Sequence, residues 1–323
     1  MSSEQANITS KRKSISKKYF RNPLLRLFFL QCLLIGRIFP RSFLLFIGRG
    51  LGKFAYHIFP SERKKALTHL NIAYPEKTES EINEITRNVF KHIGMNFMEL
   101  IWLPRLKKNN IDKYVEFIGL EHLDKARSPS KPTIIITGHI GNWELLAAAA
   151  SIKGYSAAVI ATKQRDDWIN RKISNIRAKW NVHTIWRNGG QSSREILSVM
   201  KNNGVLALLM DQDTKAESVF VDFFGHKAFT PSGPAALSLR FNSEVISAYI
   251  HRNGNRNHKI TFKNAEPLQP TGDREKDIVD RTQQFTKIIE GAINEHPEQW
   301  VWMHKRWKTQ NPNSNKGERN DLA

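Results

Sequence analysis

The chain has 323 residues, and its 50 Lys and Arg against 30 Asp and Glu give it a formal charge of +20. Apolar residues make up 40% of the chain and charged residues 25%, which excludes a disordered chain and a polytopic membrane protein. A single cysteine, Cys32, excludes a disulfide framework and a cysteine-rich zinc site. So basic a chain is expected to have an anionic partner: nucleic acid, an anionic bilayer or an acidic protein.

The basic charge is concentrated at the start of the chain, where acidic residues are almost lacking. Residues 1–19 are basic and polar with no apolar periodicity, which predicts a disordered N-terminus. Residues 20–59 are mostly apolar, but arginines interrupt them repeatedly. Their longest uncharged stretch, Leu27 to Gly36, is far shorter than the ~20 residues that a membrane-spanning helix needs.

We expect residues 20–59 to form helices that lie in the surface of a bilayer. Their arginines would reach anionic headgroups, and the basic flank predicts the cytoplasmic leaflet. Two alternatives stay open: a buried amphipathic helix pair with a solvated basic face, and a single-pass anchor. No small-residue cleavage site follows the apolar stretch, so a removed signal peptide is not expected.

Apolar β-formers then alternate with helical patterns along the chain. The predicted helices are 62–73, 79–101, 142–153, 167–180, 191–202, 232–242 and 275–295. The predicted strands are 133–137, 157–161, 182–186, 205–210, 245–250 and 259–263. Apolar strands separated by helices predict an α/β domain over residues 60–308, with a largely parallel central sheet flanked by helices. A polar tail is expected at 309–323.

The segment GHIGNWE, residues 138–144, follows the strand TIIIT and opens a helix. Gly138 and Gly141 allow a sharp turn that places His139 at the C-terminal edge of the sheet, where α/β ligand sites lie. Glu144, in the first helical turn, is placed to reach back to the imidazole, fix its tautomer and raise its basicity. Backbone N–H groups at the helix start suit an oxyanion. The pattern therefore suits a general base for a hydroxyl nucleophile.

A structural explanation of the same motif stays open at this point. His139 would then cap a turn, and Glu144 would only suit the helix dipole. The spacing does not make a zincin motif, so we expect neither a metal nor another cofactor.

The C-terminal segment combines tryptophans with basic residues. Trp300, Trp302 and Trp307 lie among His, Lys and Arg, a composition that suits a bilayer interface or phosphate headgroups, or else a segment that docks on the core. Because the basic residues elsewhere interleave with aliphatic runs and no nucleic-acid fingerprint is present, no nucleic-acid partner is expected.

Three further segments accompany GHIGNWE. They are RKKALTHLNIAYPE (63–76), MDQD (210–213) and HPEQWVWMHKRWK (296–308). In this order the four segments resemble the lipid A late acyltransferases, the lauroyl and myristoyl transferases within the His-x4-Asp/Glu glycerolipid acyltransferase superfamily. The resemblance runs from about residue 20 to residue 308.

This resemblance implies the fold of that superfamily and an activity. The enzyme would move a fatty acyl chain from acyl carrier protein to a hydroxyl of a lipid A precursor, a secondary acylation at the cytoplasmic face of the inner membrane. His139 would take the hydroxyl proton, and Glu144 would orient the ring. Direct transfer is expected, because Cys32 lies in the membrane-like segment and does not suit an acyl-enzyme.

The resemblance also implies substrate-binding residues. Asp211 and Asp213 would line the pocket, although ordinary turn chemistry also explains them. Either Lys163 or Arg165 would be the family's basic residue; ATKQRDDW departs from the usual pattern and leaves open which one. Arg187 suits a phosphate of the lipid or of the phosphopantetheine arm, or else is a solvated loop arginine.

Basic residues follow the second predicted strand within a short span, and they would receive an acidic carrier protein. They are Lys163, Arg165, Arg171, Lys172, Arg177 and Lys179. Two alternative functions stay open. One is the same chemistry on another glycolipid or phospholipid, with acyl-CoA as a candidate donor, and the other is an inactive membrane-binding scaffold.

Overall fold

The computed structural model describes residues 23–127, 130–187, 190–254 and 257–310. The N-terminus predicted as disordered, residues 1–19, lies outside the described residues, and so does the predicted tail beyond residue 310.

Helices and strands alternate through most of the chain. The helices are α1 (23–38), α2 (Arg41–Ile58), α3 (Pro60–Ala73), α4 (Glu79–Trp102), α5 (Leu120–Ala126), α6 (Trp143–Ile152), α7 (Asp167–Ala178), α8 (Gly190–Lys201), α9 (Gly233–Phe241) and α10 (Arg274–Glu295). The strands are β1 (Val115–Ile118), β2 (Thr133–Thr137), β3 (Ala158–Ala161), β4 (His183–Trp186), β5 (Val205–Leu209), β6 (Ser218–Phe223), β7 (His226–Pro231), β8 (Glu244–Asn253) and β9 (Asn257–Asn264). Each predicted helix and strand is confirmed to within a few residues.

The central sheet is mostly parallel, as predicted. Its seven strands lie in the order β1-β9-β8-β2-β5-β3-β4, and β2 pairs in parallel with both β5 and β8. The pair β8 and β9 is antiparallel, because a short connection joins the two strands and leaves no room for a crossover helix. The sequence patterns also missed β1 and the separate β6–β7 hairpin.

Strand β2 lies in the middle of the core. All its residues are buried, and its side chains alternate between two apolar clusters: Ile134 and Ile136 belong to one and Ile135 to the other. The two clusters fill the spaces between the sheet and the helices on its two faces. The loop after β2, which carries His139, is therefore supported from both sides.

The second N-terminal helix packs closely against α4. A Cβ atom on Gly48 of α2 would lie 2.6 Å from the carbonyl oxygen of Gly94, so glycine at this position allows the two backbones to approach. Leu44 and Leu45 of α2 are buried in the same contact. Removal of α2 would therefore expose the part of α4 that it covers.

The other faces of α1 and α2 are apolar and exposed. Phe46 is 72% exposed and Phe54 62%, which leaves a wide apolar surface uncovered. Its further members are Leu24, Leu25, Leu27, Phe28, Leu30, Leu34, Ile35, Ile38, Phe39, Phe43, Leu51, Ile58 and Phe59. Among the helices of the described ranges, none has the length and hydropathy required to cross a membrane.

The C-terminal tryptophans are part of the core. Trp300, Trp302 and Trp307 are each at most 1% exposed, and Trp300 and Trp302 meet edge to face with ring centroids 4.6 Å apart. Their assignment to a bilayer interface is therefore wrong, and the alternative of a core-docking segment is confirmed. This packing brings the end of the chain beside the loop after β2.

Candidate active site

The loop between β2 and α6 has a conformation that its sequence requires. Gly141 has a φ of 54°, and a Cβ atom there would overlap the carbonyl oxygen of Ile250 on β8. Asn142 then caps α6 by accepting the N–H of Leu145 at 3.1 Å. Between these two turns and the end of β2, His139 is held at the C-terminal edge of the sheet.

Asp211 holds His139 through two hydrogen bonds. One carboxylate oxygen lies 2.8 Å from Nδ1 of the ring, and the other accepts the backbone N–H of His139 at 2.7 Å. The indole N–H of Trp300 donates to the second oxygen at 2.7 Å. The ring of Trp143 meets the imidazole edge to face with the centroids 4.9 Å apart. These contacts fix the imidazole and direct Nε2 away from the carboxylate.

The contacts stabilise opposite charges on the two side chains. Burial disfavours the Asp211 carboxylate, but the charge of His139 and the hydrogen bonds from His139 and Trp300 outweigh it and lower the pKa of Asp211 to about 2. Burial also disfavours the imidazolium, but the adjacent Asp211 carboxylate outweighs it and raises the pKa of His139 above its ordinary value of 6.5. Asp211 thus increases the basicity of His139.

The prediction that Glu144 orients the imidazole is corrected by this geometry, because Asp211 occupies Nδ1. Glu144 is paired with Arg177 of α7 instead. The Arg177 Nε–H donates to one oxygen of Glu144 at 3.0 Å, and an Nη2–H donates to the other. Glu144 stays near His139 and its charge also raises the pKa of the ring, but as a smaller contribution than that of Asp211.

The loop is also supported by a buried polar network from α4. The side-chain N–H of Asn142 donates to Glu99 at 2.8 Å, and that of Asn96 donates to the carbonyl oxygen of Gly141 at 2.6 Å. Glu99 is fully buried and also binds Arg252 at 2.9 Å and His258 at 2.8 Å. Burial disfavours its charge, but His258 and Arg252 outweigh burial and keep the pKa of Glu99 well below its ordinary value.

A cavity of about 350 Å³ opens beside His139. Its wall includes the charged residues Glu144, Arg177 and Arg187. Many of its other wall residues are apolar, among them Ile135, Leu146, Ala147, Ala150, Val159, Val182, Ala207 and Phe262. We call it the catalytic cavity. A largely apolar space beside a basic histidine suits a fatty acyl chain with its carbonyl at the ring.

The other predicted substrate-binding residues occupy different positions. Arg187 lies in the wall of the catalytic cavity, whereas Lys163 and Arg165 are exposed residues that border its wall residues Thr162 and Gln164 without belonging to the wall. Asp211 was also predicted to line the pocket, but it does not belong to the cavity wall, because its buried carboxylate binds His139 and Trp300.

Asp213 was predicted to line the pocket, but its carboxylate is buried and binds the C-terminal segment. It accepts the N–H of Thr309 at 2.7 Å and its hydroxyl at 3.1 Å, and it pairs with Lys308 at 3.5 Å. In place of Asp213, its neighbours Gln212 and Thr214 belong to the cavity wall. The last aspartate of the MDQD segment therefore binds the C-terminal segment and does not face the cavity.

Sequence reasoning missed Glu99, the pairing of Arg177 with Glu144, and the bond from Trp300. A lone acid within the apolar run of α4 was the available signal for Glu99. No group of three or more His, Cys, Asp or Glu side chains is placed to hold a metal ion in the described ranges. The chemistry that these residues support is proton transfer by an oriented histidine.

Comparison with known proteins identifies the family. A family model described as bacterial lipid A biosynthesis acyltransferase matches residues 13–309. A lipid A biosynthesis acyltransferase of Haemophilus influenzae is 25% identical over 265 residues, which cover 80% of each chain. The lipid A biosynthesis myristoyltransferase of Escherichia coli is 23% identical over 263 residues, 81% of this chain and 80% of the relative.

A relative with a different named acceptor is also similar. The phosphatidylinositol mannoside acyltransferase of Mycobacterium tuberculosis is 22% identical over 218 residues, 66% of this chain and 67% of the relative. The family match spans the catalytic loop, both sides of the catalytic cavity and the C-terminal segment that contacts Asp211. The chain therefore belongs to the bacterial lipid A biosynthesis acyltransferase family, and it is an acyltransferase.

Proposed function

We propose that this protein transfers a fatty acyl chain from acyl carrier protein to a hydroxyl of a lipid A precursor, with His139 as the general base. The observation that carries the proposal is that His139, paired with Asp211, lines a largely apolar cavity. Family membership supports acyl transfer, and the names of the relatives support lipid A as the acceptor.

The proposed reaction is a direct transfer. With Nδ1–H donated to Asp211, Nε2 of His139 takes the proton of the acceptor hydroxyl as its oxygen attacks the thioester carbonyl. The tetrahedral intermediate then expels the thiol: the C–S bond breaks, and the proton on Nε2 passes to the leaving sulfur. Cys32, the chain's one thiol, lies on α1 outside the wall of the catalytic cavity, so an acyl-enzyme is not part of the proposal.

Several charged residues are proposed to handle the polar parts of the substrates. Arg187, in the cavity wall, is placed to bind a phosphate of the lipid or of the phosphopantetheine arm. Lys163 and Arg165 extend this basic surface towards the solvent. The Glu144–Arg177 ion pair forms part of the cavity wall, and the charge of Glu144 helps to raise the pKa of His139.

We also propose that the protein works on the cytoplasmic face of the inner membrane. The exposed apolar surface of α1 and α2, together with the basic residues between its phenylalanines and leucines, suits an anionic bilayer surface. A lipid acceptor would then reach the active site without leaving the bilayer entirely.

A second acceptor class is supported by one comparison. The mycobacterial relative, which is similar to about two thirds of this chain, is named for another glycolipid, a phosphatidylinositol mannoside. In that case the chemistry at His139 would be unchanged, and only the surface that binds the headgroup would differ.

Mass spectrometry of envelope lipids from a strain that lacks the gene tests the proposal. The account predicts lipid A short of one acyl chain, restored by the wild-type gene and not by a His139→Gln gene. If lipid A is unchanged and another glycolipid or phospholipid loses a chain, the second acceptor class is correct. Full restoration by the His139→Gln gene would instead indicate a non-catalytic role.

A further inference from the structure

A second cavity lies between α1, α4 and α7, and it has a volume of about 330 Å³. We call it the side cavity. Its wall is formed by Leu25, Phe28, Phe29, Cys32 and Leu33 of α1, by Phe97, Leu100, Ile101 and Leu103 at the end of α4, and by Ile169, Ile173, Ile176 and Trp180 on α7 and just after it. This volume falls within the range of small-ligand sites, and the wall is almost wholly hydrocarbon.

The side cavity and the catalytic cavity share a wall. Glu144, Ile173 and Arg177 line both of them, so the Glu144–Arg177 ion pair separates the two spaces. Because Glu144 and Arg177 satisfy each other, this partition does not require a charged ligand on either side. It marks the inner end of the side cavity as polar and as adjacent to His139.

The outer end of the side cavity faces the exposed apolar surface. Leu25, Phe28, Phe97 and Leu100 line the cavity and are also between 38% and 54% exposed. A hydrocarbon chain that moves from a bilayer into this space would therefore remain in apolar contact along its path.

Helix α1 is fastened over this space by specific contacts. Arg26 pairs with Asp166 at 3.1 Å, and Phe29 meets the ring of Trp168 edge to face at 6.1 Å. Asp166 also caps α7 through the N–H groups of Trp168 and Ile169. Specific contacts between α1 and the start of α7 thus define this side of the cavity.

We propose that the side cavity binds one hydrocarbon chain of the lipid acceptor and thereby holds the acceptor next to the wall that this cavity shares with the catalytic cavity. This inference rests on the proposed function. The donor is assigned to the catalytic cavity, because its carbonyl must lie at His139 and its chain then has the apolar interior of that cavity. The acceptor resides in the bilayer, which is the side on which the second cavity opens.

The natural single cysteine gives a direct test of occupancy. Cys32 lines the side cavity, so a bound chain should shield it from a thiol reagent. The probe is the rate of N-ethylmaleimide modification of full-length His139→Gln protein in phosphatidylcholine nanodiscs, so that no turnover occurs. The lipid A precursor should slow the reaction about tenfold or more, which corresponds to saturation at about ten times Kd.

Two controls make the result specific. The same headgroup without acyl chains should not protect Cys32, and acyl carrier protein carrying its acyl chain should not protect it either. Equal modification rates with and without the intact precursor, at concentrations that saturate turnover of the wild type, would overturn the inference. This readout does not depend on catalysis, so it can fail while the proposed function holds.

A filling substitution provides a kinetic test. Ile176 lines only the side cavity, so Ile176→Trp should raise the KM for the acceptor about tenfold and leave slow thioester hydrolysis without acceptor unchanged. The matched control is Leu34→Trp, an exposed position on α1 outside the cavity wall. An acceptor KM that is unchanged in a folded Ile176→Trp protein, or an equal rise for donor and acceptor, would contradict the assignment.

Discussion

Asp211 contacts His139 with both of its carboxylate oxygens, one at 2.8 Å from the ring Nδ1 and the other at 2.7 Å from the backbone nitrogen. The two residues come from the ends of adjacent parallel strands, since Thr137 of β2 pairs with Leu209 of β5. One side chain thus fixes the backbone, the tautomer and the basicity of the proposed general base at the same time.

Asp211→Asn should lower kcat/KM by about 10²- to 10⁴-fold. It should also move the acidic limb of the pH–rate profile. His139 must be neutral to take a proton, so activity falls as pH drops through its raised pKa. Loss of the carboxylate lowers that pKa, and the limb should therefore move to lower pH. Asp213→Asn is the matched control, because Asp213 is equally buried but binds Thr309; an identical shift in both variants would contradict the role of Asp211.

Much of the fold follows from the sequence because apolar periodicity marks buried elements. The TIIIT run gives β2, and the loop after it places His139 at the sheet edge. The patterns do not mark β1, whose sequence VEFI is only four residues long and is interrupted by Glu116, or the β6–β7 hairpin. The hairpin turns at Phe224 and Gly225, which both have positive φ, and a phenylalanine is an unusual residue at such a turn.

The partner of the His139 imidazole could not be chosen from the sequence alone. Glu144 is close to His139 along the chain, and Asp211 is close only because β5 lies beside β2. Strand order is a property of the whole sheet, and local spacing does not encode it. For the same reason the contributions of Glu99 and Trp300, which reach the loop from α4 and from the end of the chain, have weak sequence signals.

Glu144 and Arg177 should behave as a coupled pair. Glu144→Gln should reduce activity less than His139→Ala does, because Glu144 does not hold the imidazole. A double-mutant cycle with Arg177→Gln should give a coupling free energy of about 0.5–3 kcal/mol in urea unfolding. Additive effects of the two substitutions would mean that the ion pair contributes nothing measurable to stability.

The network at Glu99 should contribute strongly to stability. Glu99→Ala would leave the buried guanidinium groups of Arg41 and Arg252 without their carboxylate, which should cost about 3–5 kcal/mol of unfolding free energy. Asn142→Ala should cost about 1 kcal/mol through loss of the helix cap.

Urea unfolding followed by circular dichroism measures both effects. Asn83→Ala is the control, since Asn83 is only partly buried and its side chain donates to the carbonyl oxygen of Glu79 in the same helix, and it should change stability by less than about 0.5 kcal/mol. A Glu99→Ala effect as small as that of Asn83→Ala would show that the network is not needed to hold the loop.

Membrane binding should depend on the apolar surface of α1 and α2. Because α2 is packed on α4, deletion of residues 1–58 would also disturb the core, and single substitutions test attachment more cleanly. Phe46→Glu and Phe54→Glu should each weaken sedimentation with anionic vesicles, by roughly 1–3 kcal/mol of binding free energy. Val279→Glu, at an exposed position on α10, should bind like the wild type. Unchanged binding of both phenylalanine variants would place the attachment elsewhere.

The basic surface of α7 should steer the carrier protein. Arg177 does not contribute to this surface as predicted, because it pairs with Glu144. Arg171 is exposed, and Lys172 lies over the ring of Trp168. The combined change Arg171→Glu and Lys172→Glu should lower kcat/KM for the carrier-protein donor and flatten its salt dependence, since steering is screened beyond ~8 Å at physiological ionic strength. The acyl-CoA rate, in detergent without anionic lipid, is the control. An equal fall for both donors would assign these residues to folding or to the phosphopantetheine arm.

The most direct measurement is a transfer assay with purified full-length protein, acyl carrier protein loaded with a fatty acid, and a lipid A precursor. Mass spectrometry identifies the products. We expect the wild type to add the mass of one acyl chain to the precursor through an ester linkage. We expect folded His139→Gln protein to form that product at least about 10²-fold more slowly. Wild-type rates in His139→Gln, or a wild type that leaves the precursor unmodified while it acylates another lipid, would contradict the central claim.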